Sequence, residues 1–201
     1  MCAKDARKNE SLRIGLTGGI ASGKSTAIRH IRDRGFPVID SDAIVHDLWD
    51  KDQEMIQDIR KTFGFDDDTD VRQAVRDLVF TDSQARNRLN AIVHPKVFEA
   101  IEARLGDLRD RPVVFIDVPL LFESGYDRHV DMTVLIDISP EIQKTRLMTR
   151  DGIGPDEADR RIGAQMSMTE KRLLADVRIT NNSDIEALHD AIDAFLDEVT
   201  E

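Results

Sequence analysis

Two periodicities divide the chain. Short, largely apolar runs fall at residues 12–16, 36–39, 112–117, 130–138 and 177–180 and read as strands, the continuous run 112–117 as one buried on both faces in a parallel sheet. Between them, apolar residues recur three and four positions apart: Ile28 and Ile31 within 24–34, Ile44, Val45, Leu48 and Trp49 after Asp42, and Ile185, Leu188, Ile192, Leu196 and Val199 near the end. That spacing gives helices with one apolar face. Strands alternating with helices predict an α/β chain with a five-stranded parallel sheet covered by helices on both sides, a three-layer α/β/α arrangement.

The alternation lapses over 53–108. There Met55, Ile56, Ile59 and Phe63, then Val71, Val75, Leu78 and Val79, keep the helical spacing with no strand between them. The gap exceeds an ordinary crossover, so residues about 52–110 are predicted to form a helical insertion. Within it, Pro95 predicts that His94 leaves helical geometry and that a new helix follows. Gly35 stops the first helix, Ser139-Pro140 starts another, and Ser183 with Glu186 reads as a capping box for the last. The hinge-like Asp151-Gly152-Ile153-Gly154-Pro155 opens a small lid at about 150–168. Residues 1–11 read as a loose N-terminal tail, and 12–201 as one domain carrying the insertion and the lid.

Composition narrows the partners. The chain has 201 residues, 40% hydrophobic and 33% charged, and no apolar run approaches the roughly 20 residues of a membrane span. Its one cysteine, Cys2, can neither form an internal disulfide nor complete a metal site. With no secretory signal pattern, the expected setting is the cytoplasm. A net charge of -11 repels polyanions, so neither nucleic acid nor an anionic membrane is an expected partner. A phosphate ligand must then be captured by a local cluster.

Such a cluster follows the first apolar run. Gly18-Gly19-Ile20-Ala21-Ser22-Gly23-Lys24-Ser25 fits G-x-x-x-x-G-K-[ST] between a predicted strand and a predicted helix, and Thr26 continues it. Glycines let backbone N–H groups converge, and the helix start adds about half a positive charge. Lys24 supplies a mobile ammonium for phosphate, and the Ser25 hydroxyl suits Mg²⁺. The second apolar run delivers Asp40-Ser41-Asp42 at its C-terminal end. Either aspartate can cap a helix there, or one can take the proton of an attacking hydroxyl, for which Asp42 is the candidate. The third run ends at Asp117, either a strand-end cap or a Mg²⁺ partner. Arg146 and Arg150 share a helix face, and Arg160, Arg161 and Gln165 follow in the lid, where arginines either sit in solvent or stabilise phosphoryl charge. His94 is a turn histidine or a substrate contact, and Asn181, after the fifth run, is a turn residue or a border of the nucleotide base. The acidic tract 66–68 reads as a solvated turn.

With those residues placed, residues 14–195 resemble the dephospho-coenzyme A kinases. The likeness rests on Gly15-Leu16-Thr17-Gly18-Gly19-Ile20 entering the phosphate loop, Ile39-Asp40-Ser41-Asp42, Leu78-Val79-Phe80, and Ile92-Val93-His94-Pro95. It continues in Val118-Pro119-Leu120-Leu121-Phe122-Glu123, Arg161-Ile162-Gly163-Ala164-Gln165 and Ala175-Asp176. The resemblance implies a P-loop kinase fold, with ATP and Mg²⁺ as cofactors and phosphorylation of the ribose 3′-hydroxyl of dephospho-coenzyme A as the reaction. It places ATP on Ala21 through Thr26, the base at Asp42, a mobile lid around Arg150, and a helical substrate region containing His94. Asp40 and Arg161 join that acceptor side, and Gly18, Gly19, Arg146 and Asn181 the ATP side. Ser41 stands where the family usually has alanine, and Ala21 replaces a common glycine, which matters only if that residue needs φ > 0. A nucleoside monophosphate or shikimate-type kinase is the alternative within the class. A GTP-dependent switch would carry Asn-Lys-x-Asp, and this sequence does not.

Overall fold

The computed structural model describes residues 11–201, so Cys2 and the tail before Ser11 lie outside the described residues. In chain order the elements are β1 (Leu12–Gly18), α1 (Lys24–Asp33), β2 (Val38–Asp40), α2 (Ser41–Lys51), α3 (Gln53–Phe63), α4 (Val71–Thr81) and α5 (Ser83–Gly106). They continue as β3 (Val113–Asp117), a 3-10 turn (Tyr126–His129), β4 (Met132–Asp137), α6 (Pro140–Asp151), α7 (Pro155–Gly163), α8 (Met168–Leu174), β5 (Val177–Thr180) and α9 (Ile185–Thr200). The sheet is parallel, with strand order β2-β3-β1-β4-β5. By internal packing the chain divides into two compact units: residues up to Ile39 with Leu108–Glu201, and Asp40–Asp107.

In the first unit, successive strand residues point to opposite faces. Ile14 and Leu16, Val113 and Phe115, Val134 and Ile136, and Ile179 meet Ile28 and Ile31 of α1 and Leu188, Ile192 and Leu196 of α9. On the other face Leu135 and Ile138 meet Met168 of α8 and Ile142 of α6. Each such residue, fully buried, contributes about 1.5–3 kcal/mol of transfer free energy. Phe115 anchors the first layer, edge-on to Phe36 at 5.9 Å and to Phe195 at 6.4 Å. The register places Leu16 beside Asp117 and Gly18 beside Ile136, so β1 and β3 release their chains at one rim.

In the second unit, α2, α3 and α4 each pack on the long α5. Here the expected break at Pro95 does not occur: α5 runs unbroken from Ser83 to Gly106 with Pro95 inside it. Proline removes one N–H and crowds the preceding turn. The buried stripe of Ala85, Val93, Val97, Ile101 and Leu105 continues on both sides of it, and that packing overrides the local preference. His94 therefore lies inside a helix and not at a junction. The start of α9 also differs from expectation. Asp184 is the N-cap, accepting from Ala187 N at 2.9 Å, while the carbonyl of Ser183 accepts from Arg146. A capping box forms instead at the head of α8, from Ser167 with Glu170.

Candidate active site

The phosphate loop joins the last residue of β1, Gly18, to the first of α1, Lys24. Gly23 has φ 90°, open to glycine at no steric cost, and the Asn181 amide lies against its α-carbon where any side chain would collide. A side chain at Gly19 would come within 2.6 Å of Gln143 Nε2. Ala21 stands at φ 59°, the one non-glycine residue with positive φ among the described residues. The position thus takes the left-handed geometry that favours glycine.

The loop is braced from several sides. Gln143 Nε2 donates to the Ile20 carbonyl at 2.9 Å, and Ile20 N donates to Gln165 Oε1 at 3.0 Å. Asn181, buried, donates from Nδ2 to the Ser22 carbonyl at 2.7 Å. Ser22 Oγ is buried inside the turn and finds no hydrogen-bond partner among the described residues. At the start of α1, Thr26 N and Ala27 N both donate to the carbonyl of the N-cap Gly23, at 3.0 and 3.1 Å. Lys24 Nζ donates to Asp117 Oδ1, which pairs the loop's cation with the carboxylate ending β3. Ser25 is exposed in the first turn of α1.

Behind the loop lies a cavity of about 370 Å³, lined in part by Gly23, Thr26, Arg146, Asn181, Asp184 and Ile185. Arg146 spans its wall, donating to Asn181 O at 3.1 Å and Ser183 O at 3.0 Å. Arg150 and Arg161 are brought together by one carboxylate: Arg150 donates to both oxygens of Asp151, at 2.7 and 3.2 Å, and Arg161 to Oδ2 at 2.9 Å. The hydrogen bonds and charge of Arg150 hold the Asp151 carboxyl below its usual range, and Asp151 in turn raises Arg150. Arg161 also donates to Glu157 at 2.7 Å.

Asp40, Asp42 and His94 belong to the second unit. Asp40 caps α2, accepting from Ala43 N at 3.0 Å. Asp42 lies exposed in the first turn of that helix. Burial pushes the His94 imidazole below its ordinary pKa, and its ring stacks on Phe98 at 6.0 Å.

Gln143, Lys171 and Arg172 were not singled out from the sequence, yet each packs near the rim. Lys171 is wholly buried, and Arg172 donates to both oxygens of Asp137 at 2.9 Å. The signal was available: Gln143 lies four residues before Leu147, and Lys171 three after Met168, each a polar residue at a buried helical register.

A parallel α/β sheet whose first strand feeds this loop, with a carboxylate at the end of the neighbouring strand, defines a P-loop phosphotransferase. The model of the dephospho-CoA kinase family matches residues 12–187. Dephospho-CoA kinase of Symbiobacterium thermophilum is 43% identical over 90% of this chain and 78% of the relative. A solved Thermus thermophilus structure superposes with TM-score 0.79 at 34% identity, covering 96% of this chain and 100% of that one. Dephospho-CoA kinase from Campylobacter jejuni does so with TM-score 0.70 at 26% identity, covering 93% and 96%. The chain belongs to the dephospho-CoA kinase family. It is a nucleotide-using kinase, with ATP as donor, that phosphorylates dephospho-CoA to CoA in the last step of CoA biosynthesis. Among the described residues no helix is long and apolar enough to cross a membrane.

Proposed function

We propose that the γ-phosphoryl group of ATP passes to the ribose 3′-hydroxyl of dephospho-CoA over the phosphate loop, in the cytoplasm. The observation that carries this reading is the braced turn from Gly18 to Thr26 with Lys24 and Asp117 paired at its mouth. Gly18, Gly19 and Ala21 through Thr26 cradle the phosphates with backbone N–H groups, and Lys24 lays its charge along the β- and γ-phosphates. The nucleotide base takes the cavity bounded by Arg146 and Asn181.

Ser25 and Asp117 offer a hydroxyl and a carboxylate, the hard oxygen donors that Mg²⁺ takes together with phosphates and water, and they fit that ion. Bound there, Mg²⁺ neutralises phosphate charge. The other steps belong to side chains. Asp42 accepts the proton of the 3′-hydroxyl as its oxygen bonds to phosphorus and the bond to the β-phosphate oxygen breaks. Arg150 exchanges Asp151 for the transferring group and stabilises its charge. Asp40, His94 and Arg161 bind the acceptor, the insertion at about 52–110 serving as its receptor and 150–168 as the lid of the single domain 12–201.

The test is ADP release from ATP and Mg²⁺ with dephospho-CoA, AMP or shikimate as acceptor. The reading expects release with dephospho-CoA alone, and equal background with all three acceptors sinks it.

A further inference from the structure

Lys171 is the most deeply buried charged side chain among the described residues, and the chemistry above gives it no task. Its ammonium meets both oxygens of Glu123, at 2.9 and 3.2 Å, and the Pro119 carbonyl at 3.3 Å. It donates hydrogen bonds to Glu123 Oε2 and the Pro119 carbonyl and is ion-paired with Oε1, so the buried charge is met by an opposite one. These partners also share an address. Pro119 and Glu123 lie on the segment that leaves β3 just after Asp117. The Pro119 carbonyl accepts a second bond, from Thr17 Oγ1 at 3.0 Å, and Thr17 is the residue before Gly18. Val118 N donates to Leu16 O at 3.0 Å, so the exits of β1 and β3 are stitched together on either side of Asp117. Glu123 Oε1 also accepts from Met166 N at 3.1 Å, one residue beyond the Gln165 that holds Ile20.

We propose that the buried Lys171–Glu123 pair positions Asp117, and through it Lys24, and ties the segment between α7 and α8 to the phosphate loop. The inference rests on the phosphoryl-transfer reading of Lys24 and Asp117. Neither Lys171 nor Glu123 touches a reacting atom; both are positioning residues. Two apolar side chains of similar volume would pack at least as stably as a desolvated ion pair, so what the pair supplies is geometry. The three oxygens around one ammonium fix where the chain leaves β3, and hence where the Asp117 carboxylate sits. Displacing that carboxylate leaves the backbone cradle intact, so nucleotide binding survives while turnover falls.

The experiment compares the parent enzyme with Glu123→Gln, with the double variant K171M/E123M, and with Lys24→Ala. For each, thermal stability, the number of ATP-binding sites by equilibrium titration, KM for ATP, and kcat per binding site are measured. The double variant and Glu123→Gln are expected to keep KM for ATP within about twofold. Their kcat per site should fall roughly 10–100-fold, as for supporting residues around a reactive group. A merely structural pair predicts lower melting temperature with kcat per folded site unchanged. Hence kcat within about twofold of the parent in either folded variant, while Lys24→Ala loses its rate, overturns the positioning role and leaves the site reading standing. If the double variant does not fold, the nearly isosteric Glu123→Gln decides by the same limits. A Lys24→Ala enzyme that keeps its rate overturns the phosphate-loop reading and this inference with it.

Discussion

Ala21 and Asp42 show how differently one side chain can matter. Ala21 holds φ 59° because Ser22 N donates to Gly19 O at 3.1 Å and Asn181 fastens the Ser22 carbonyl, so the turn cannot relax around it. A left-handed alanine costs about 1–2 kcal/mol, and glycine returns roughly half of that to the unfolded chain. Ala21→Gly should therefore raise stability by about 0.5–1 kcal/mol, a melting shift of about 1–4 °C, with ATP affinity unchanged. Calorimetry reads this directly, and a lower melting temperature would contradict the strain. Asp42 sits in the first turn of α2, whose N-cap is Asp40. Asp42→Asn is expected to keep ATP affinity and lose about 10²–10⁴-fold in kcat, the usual worth of a positioned base. Unchanged turnover in a steady-state assay removes Asp42 from that role.

At the level of elements, α5 is where sequence and structure part. Its stripe from Ala85 to Leu105 packs against α2, α3 and α4, and it carries the helix through Pro95 despite the missing N–H. Pro95→Ala restores a donor for the Ala91 carbonyl and removes the ring's clash, against a gain of freedom in the unfolded chain of about 1 kcal/mol at most. The first effect is worth up to about 3 kcal/mol, so the variant should be stabilised by roughly 1–2 kcal/mol in urea titration. A destabilised Pro95→Ala would mean that the ring's packing outweighs the lost bond. The strands were legible because β1, β3 and β4 are mostly buried and leave apolar runs in the sequence, unbroken in β3 and interrupted by Arg13 and Thr17 in β1 and by Thr133 in β4. The loop was legible because its spacing encodes its geometry. What stayed hidden depends on partners far away along the chain. Lys171 shares a helical register with Met168, but its partner Glu123 lies 48 residues away in the chain. Local preference around Pro95 pointed the wrong way, because tertiary packing there is the stronger term.

For the whole molecule the dominant fact is charge: 28 basic against 39 acidic side chains, a net of -11. Two effects of salt oppose each other. Many ion pairs, such as Lys51–Asp47, Lys144–Asp159 and Arg161–Glu157, lie on the surface, and salt weakens them. Exposed pairs are worth about 0–1 kcal/mol each and half-screened already at moderate ionic strength. The excess negative charge repels itself over the whole surface, and that repulsion is long-ranged. Its reach shrinks from about 20 Å near 0.02 M salt to about 4 Å near 0.5 M, so salt removes most of it while touching close pairs less. The repulsion should win. Melting temperature is expected to rise by a few degrees, about 2–5 °C, between 0.02 and 0.5 M sodium chloride, measured without nucleotide so that binding does not contribute. The gain should saturate once the screening length falls below the spacing of neighbouring carboxylates. A melting temperature that falls steadily with salt would show that the surface pairs carry more of the fold's stability than their exposure implies.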